Sequence, residues 1–242
     1  MSTPSKPLSI PAMAALVLSL GAITVIVASG LGYRLGWWHF TVGLQASEWA
    51  AYGAGLALVL SLVGLAESRP GAARRGWAAA VIGLLLALAP VSLAVQWEYT
   101  SRSYPAINDI STDTLDAPVF WDMPTPTDYP GAASAALQRA AYPDLVPLRL
   151  PLPPAKTFAL ALAVVKDKGW TVVASVPEEG RIEATASSLL YGFTDEVAIR
   201  VKPADGGVLV AVRSRSRLGK IDRGVNAKRI RAFLQTLKAQ AA

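Results

Sequence analysis

The chain has 242 residues, 52% of them hydrophobic, a formal charge of +6, one histidine and no cysteine. No disulfide, thiolate nucleophile or cysteine-ligated metal can therefore form, and the lone His39 leaves the polar part of the chain without a histidine for a metal site or a triad. The hydrophobicity is unevenly spread, which points to a membrane part followed by a polar part.

Residues 8–31 are apolar almost throughout, and a hydrocarbon core needs about 20 such residues to be crossed. The run is longer than the h-region of a secretory signal, and two further spans follow at about residues 49–66 and 77–97, so it reads as a retained helix. Residues 32–47 read as a short loop and residues 67–76 as a hairpin. Five of the seven tryptophans (37, 38, 49, 77 and 97) fall at span ends, with Tyr33 and Tyr99 beside them. That distribution is an interfacial aromatic belt. Gly53, Ala57, Ser61 and Gly64 form a stripe of small residues that allows close helix packing, and Pro90 is expected to kink the third span. No charged residue lies deep within a span, which argues for an anchor and against a conduction path. Lys6, Arg69, Arg74 and Arg75 outweigh Arg34 and Arg102, so the positive-inside rule places the N-terminus inside and everything after Trp97 outside. In a bacterium this means an inner-membrane protein with a periplasmic C-terminal domain.

Residues 98–154 are rich in Pro, Asp and Thr and carry seven acids against three bases. They read as an acidic neck, with turn-forming side chains at Asn108-Asp-Ile-Ser-Thr-Asp113 and an extended, proline-rich end. Helical periodicity occurs only at about residues 131–141. Residues 155–242 then read as a small α+β domain. A helix over 155–168 is followed by strands at 170–176, 181–188, 195–202 and 208–214, and by a closing helix over 223–238 with Val225, Ile230, Phe233, Leu234 and Leu237 facing inward. Ala204-Asp-Gly-Gly207 marks a hairpin. The expected fold is thus a three-helix transmembrane anchor plus an α+β domain of helix, four-stranded antiparallel sheet and helix. The helices cover one face of the sheet, and the other is expected to be polar and wet.

The stretch Arg213-Ser-Arg-Ser-Arg-Leu-Gly-Lys-Ile-Asp-Arg-Gly-Val-Asn226 concentrates the charge. Nine Lys/Arg and a single acid, Asp222, lie between Ala211 and the C-terminus. On a strand, Arg213, Arg215 and Arg217 point one way and Ser214 and Ser216 the other. With Lys220, Arg223 and Asn226 at the start of the last helix, this comb could hold an anionic headgroup, glycan or protein carboxylate. Its structural reading is a set of ion pairs to Asp109, Asp113, Asp195 and Asp222 that lock the neck onto the domain.

Asn108-Asp-Ile-Ser-Thr-Asp113, Ile182-Glu-Ala184, Gly192-Phe-Thr-Asp195 and the run ending in Gly224-Val-Asn226 resemble the motifs of the bacterial and plastid family catalogued as domain of unknown function 1499. The resemblance covers about residues 107–237, and a three-span anchor ahead of the domain is one architecture within that family. Asp195-Glu196 matches its pair of acids, while Lys220-Ile221 stands where the family has small polar residues. The resemblance implies no biochemical activity. No Gly-rich phosphate loop is present, and no metal or cofactor is expected. The outside location and the missing aromatic platform argue against nucleic acid. The expected partners are membrane lipid together with a protein or an anionic envelope component. The alternative is an envelope hydrolase or transferase using Asp113, Asp195 and Glu196.

Overall fold

The computed structural model describes residues 6–125 and 127–242. The chain divides into two compact units, one formed by residues up to Tyr99 with Leu189–Gly192, the other by Thr100–Ser188 with Phe193–Ala242.

The first unit is built on three long apolar helices: α1 (Ile10–Arg34), α2 (Phe40–Ser68) and α3 (Trp77–Ser103), whose last residues pass into the second unit. Each is long and apolar enough to cross a membrane. Helix α2 begins nine residues before the expected span, with the His39 ring accepting the Thr41 N–H, so most of the expected loop is helical. From Ala50 onward the buried positions of α2 are Ala50, Ala54, Ala57, Ser61, Gly64 and Ser68, spaced alternately by four and three, with Gly43 buried one heptad earlier. This is a coiled-coil seam made of small side chains, which lets backbones meet. A Cβ on Gly64 would lie 2.8 Å from the backbone of Ala12, and the Ser19 hydroxyl donates to the Gly83 carbonyl at 2.7 Å. The seam runs through Ala54, not through the expected Gly53, whose hydrogen points into open space. Pro90 lies buried inside an uninterrupted α3.

The second unit is α+β, as expected, but its antiparallel sheet has six strands where four were expected. The two extra strands come from the proline- and aspartate-rich segment: β1 (Asp109–Ser111) and β2 (Leu148–Leu150) both pair with β6. Three-residue strands leave no periodicity to read, which is why composition alone suggested turns and a connector. Between them lies α4 (Gly131–Ala141), followed by α5 (Pro154–Asp167), β3 (Thr171–Val176), β4 (Arg181–Ser187), β5 (Thr194–Ala204), β6 (Gly207–Ser216) and α6 (Val225–Gln240). The strand order is β1-β6-β5-β4-β3, with β2 beside β1 along the same edge of β6. Gly207 must be glycine: its φ is +151°, and a Cβ there would fall 2.1 Å from the Leu150 carbonyl oxygen as β2 crosses.

Alternation decides the two faces. Ile182, Val197, Ile199, Val210 and Val212 pack with Phe158, Val164, Ile230, Phe233 and Leu237 of α5 and α6 as the main core. Trp170 stacks on Phe233 at 5.9 Å. Val225 does not join this core: it is exposed at the first position of α6, while Asn226 and Ala227 next to it are buried. The opposite face is not wet. Phe120 and Met123 are buried against Ala198, so residues 112–125 and 127–128 cross this face as a strap.

Candidate functional site

The strap has little regular structure, so its backbone groups need partners from the sheet beneath. The sheet supplies them through its charged side chains. Arg213 grips Asp109 with both arms of its guanidinium, at 2.9 and 2.7 Å, and donates to the carbonyls of Pro118 and Thr127 at 3.2 Å each. Arg215 donates to Glu196 at 2.7 Å and to the Thr125 carbonyl and the Thr127 hydroxyl. Both guanidiniums lie over the Phe120 ring, at 4.7 and 4.3 Å from its centre. An aromatic face adds attraction to a cation while closing it off from water. Arg217 completes the comb by donating to the other oxygen of Glu196 at 2.8 Å. Glu196 is fully buried and so serves two arginines at once.

Three further residues, which the sequence did not single out as a site, hold the rest of the strap. The buried Glu183 accepts the backbone N–H of Trp121 at 2.8 Å and of Asp122 at 3.1 Å, and Arg181 pairs with it at 2.7 Å. Arg200 donates to the Asp116 carbonyl at 2.6 Å. Asp113 is not part of the comb. It closes a turn by accepting the N–H groups of Leu115 and Asp116, and its nearest arginine is Arg200 at 3.9 Å.

On the helix face a second cluster surrounds Asn226. Its amide donates to the Asn108 carbonyl and the Ser216 hydroxyl, both at 3.0 Å, and its carbonyl oxygen accepts from Ser214 at 2.7 Å. Asp222 accepts the N–H of Gly224 at 2.9 Å and of Asn226 at 2.7 Å, capping α6 where the first backbone N–H groups have no acceptor within the helix. Burial pushes the Asp222 carboxyl above its usual range, against these two hydrogen bonds. Gly224 sits at φ +76° and a Cβ would strike the Tyr104 ring at 2.6 Å. Asp195 pairs with Arg229 at 2.6 Å. Arg223 donates to Ser101 at 2.8 Å, and burial lowers its pKa. Lys220 is exposed and lines, with Asn108, Asp109 and Ser134, a groove of about 170 Å³.

Sequence reasoning missed Gln138 and Phe120 altogether. Gln138 is fully buried on α4; it accepts the Ser111 N–H at 2.9 Å and donates to the Ser111 carbonyl at 2.6 Å, mimicking another strand beside β1. Tyr129 donates to the same amide oxygen at 3.0 Å, and burial with the nearby Asp109 charge pushes its hydroxyl up to about 12. The available signal was an aromatic residue inside an acidic, proline-rich run. Among the described residues no three His, Cys, Asp or Glu side chains gather as a metal site would require.

Residues 122–237 match the family described as "Protein of unknown function (DUF1499)", so the resemblance read from the motifs holds over that stretch. No curated protein and no solved structure matches the chain.

Proposed function

We propose that this chain is a bacterial inner-membrane protein that holds its α+β domain in the periplasm as a binding module for a protein partner. The observation that carries this reading is the filled outer face of the sheet. A hydrolase or transferase using Asp113, Asp195 and Glu196 needs those carboxylates gathered in a solvent-filled cleft. Here Glu196 is buried under two arginines, Asp195 lies on the other face against Arg229, and Asp113 closes a turn. An anionic ligand at the comb would have to displace carboxylates that already occupy the guanidiniums. The strap turns two large apolar side chains outward, Leu115 at 94% exposure and Trp121 at 67%, beside the exposed carboxylates of Asp116 and Asp122. Aromatic and aliphatic anchors of this kind dominate protein interfaces.

The orientation rests on charge. Lys6 donates to the Ala72 carbonyl at 2.6 Å and Leu8 bridges Arg75, so Lys6 joins the Arg69, Arg74 and Arg75 hairpin at one end of the first unit. That end is the cytoplasmic one by the positive-inside rule. A reporter active only outside the cytoplasm, fused after Ala242, is expected to be active. An inactive fusion with intact protein would sink the orientation. For the partner, a photo-crosslinking residue at Leu115 or Trp121 is expected to trap a discrete adduct in cells, and one at the exposed Lys238 is not. Equal adducts at all three positions, or none, contradict the strap as the docking surface.

A further inference from the structure

The two edges of the sheet are treated differently. At one, β1 and β2 lie along β6, and the Gln138 amide occupies the Ser111 backbone groups beyond β1. At the other, β3 pairs, among the described residues, with β4 alone. The sequence of β3, Thr-Val-Val-Ala-Ser-Val, contains neither a charge nor a proline. Those are the usual guards of an exposed edge, and without them the unpaired N–H and C=O groups form a template for another strand. The single guard present is a bulge between Val172 and Ala174, where Val173 leaves the register with its side chain 44% exposed.

The flanks indicate which strand fits. Lys166, Asp167 and Lys168 precede β3, a net charge of +1 from two lysines and one aspartate, and Glu178 and Glu179 follow it. Glu179 already pairs with Arg181, whereas Glu178 is exposed at the strand's end. When two copies of β3 run antiparallel, the Lys168 end of each meets the Glu178 end of the other, twice, by two-fold symmetry. The edge is therefore complementary to itself. The three apolar helices add a second reason, since a membrane confines copies of the chain to one plane and raises their effective concentration. We propose that β3 pairs antiparallel with β3 of a second copy of this chain, joining two sheets into one. The pairing depends neither on which side of the membrane the domain occupies nor on the strap.

The chain has no cysteine, so a single introduced thiol reports one position cleanly. Val173→Cys and Ala174→Cys are made in the full chain, reconstituted in phosphatidylcholine–phosphatidylglycerol vesicles and oxidised with copper phenanthroline. Residues opposite one another in an antiparallel pair have Cα atoms about 4.5–5.5 Å apart, which a disulfide spans. At least one of the two variants is expected to become mostly covalent dimer, while Leu115→Cys, more exposed but on the strap, stays mostly monomer. Adding Lys168→Glu to the better variant should lower the dimer several-fold, and adding Glu178→Lys to that should restore it. Dimer yields at Leu115 equal to those on β3 would mean random collision and overturn the proposal. So would failure of both β3 variants to cross-link while melting like the parent, or indifference to the charge reversal.

Discussion

At the scale of single residues, the charged groups of this domain act as backbone donors and acceptors in the places where helix and strand ladders stop. Arg213 satisfies strap carbonyls, Glu183 satisfies strap amides, and Asp222 caps α6. Asp222 has a measurable signature. Burial raises its carboxyl above the ordinary value. In the unfolded chain such a group ionises near pH 3.9, roughly, so as pH rises the unfolded state loses the proton first. Its contribution to stability is therefore fully present below that pH and is lost as pH rises through the higher folded value. Asp222→Asn removes the titration and keeps only one of the two acceptors, which costs about 0.5–1.5 kcal/mol at any pH. Melting both proteins between about pH 4 and pH 8 should show the parent's advantage greatest at the acid end. A difference that is constant or grows with pH contradicts this role.

At the scale of elements, the helices of the first unit and the strap of the second pack by different rules. The apolar helices have no hydrophobic force between them in lipid, so they depend on close backbone approach. A Cβ at Gly83 would lie 3.0 Å from the Leu16 nitrogen and 3.2 Å from the Ser61 hydroxyl, while one at Gly53 would meet nothing. Overpacking such a contact costs about 1–3 kcal/mol. Gly83→Leu is therefore expected to lower the melting temperature of the first unit in detergent and Gly53→Leu to leave it unchanged; equal effects would show that the seam is misplaced. The long helices and the alternating strands β4, β5 and β6 were legible because period and length carry the signal over many residues. The strands β1 and β2 were not, since three residues show no period, and the strap was not, since its partners lie about 60 to 95 positions away in sequence. The sidedness of the comb was legible from alternation alone, with Arg213, Arg215 and Arg217 on the strap side and Ser214 and Ser216 against Asn226. That Glu196 lies opposite Arg215 depends on the β5–β6 register, which the two-residue Asp205–Gly206 turn fixes.

At the scale of the whole molecule, the apolar helices fit an anchor and the sheet carries a strap bound through buried ion pairs. These pairs hold the strap down, so that they act as structure and not as a ligand site. Arg215 is 7% exposed and Glu196 wholly buried, whereas the Arg231–Asp144 pair, at 2.6 Å, lies on the surface. Removing one partner of a buried pair costs about 3–5 kcal/mol, because the other charge is stranded. Glu196 would keep Arg217 but lose its shielded contact, and the strap would lose the bonds at Thr125 and Thr127. A surface pair is worth roughly 0–1 kcal/mol. Arg215→Lys should also be poorly tolerated, since an ammonium cannot hold a carboxylate, a carbonyl and a hydroxyl in one planar fork. The most direct measurement is denaturant melting of the full chain carrying Arg215→Ala or Arg231→Ala beside the parent. Arg215→Ala is expected to lose about 3–5 kcal/mol and Arg231→Ala under about 1 kcal/mol; an Arg215→Ala protein that melts like the parent would contradict a structural role for the buried pairs.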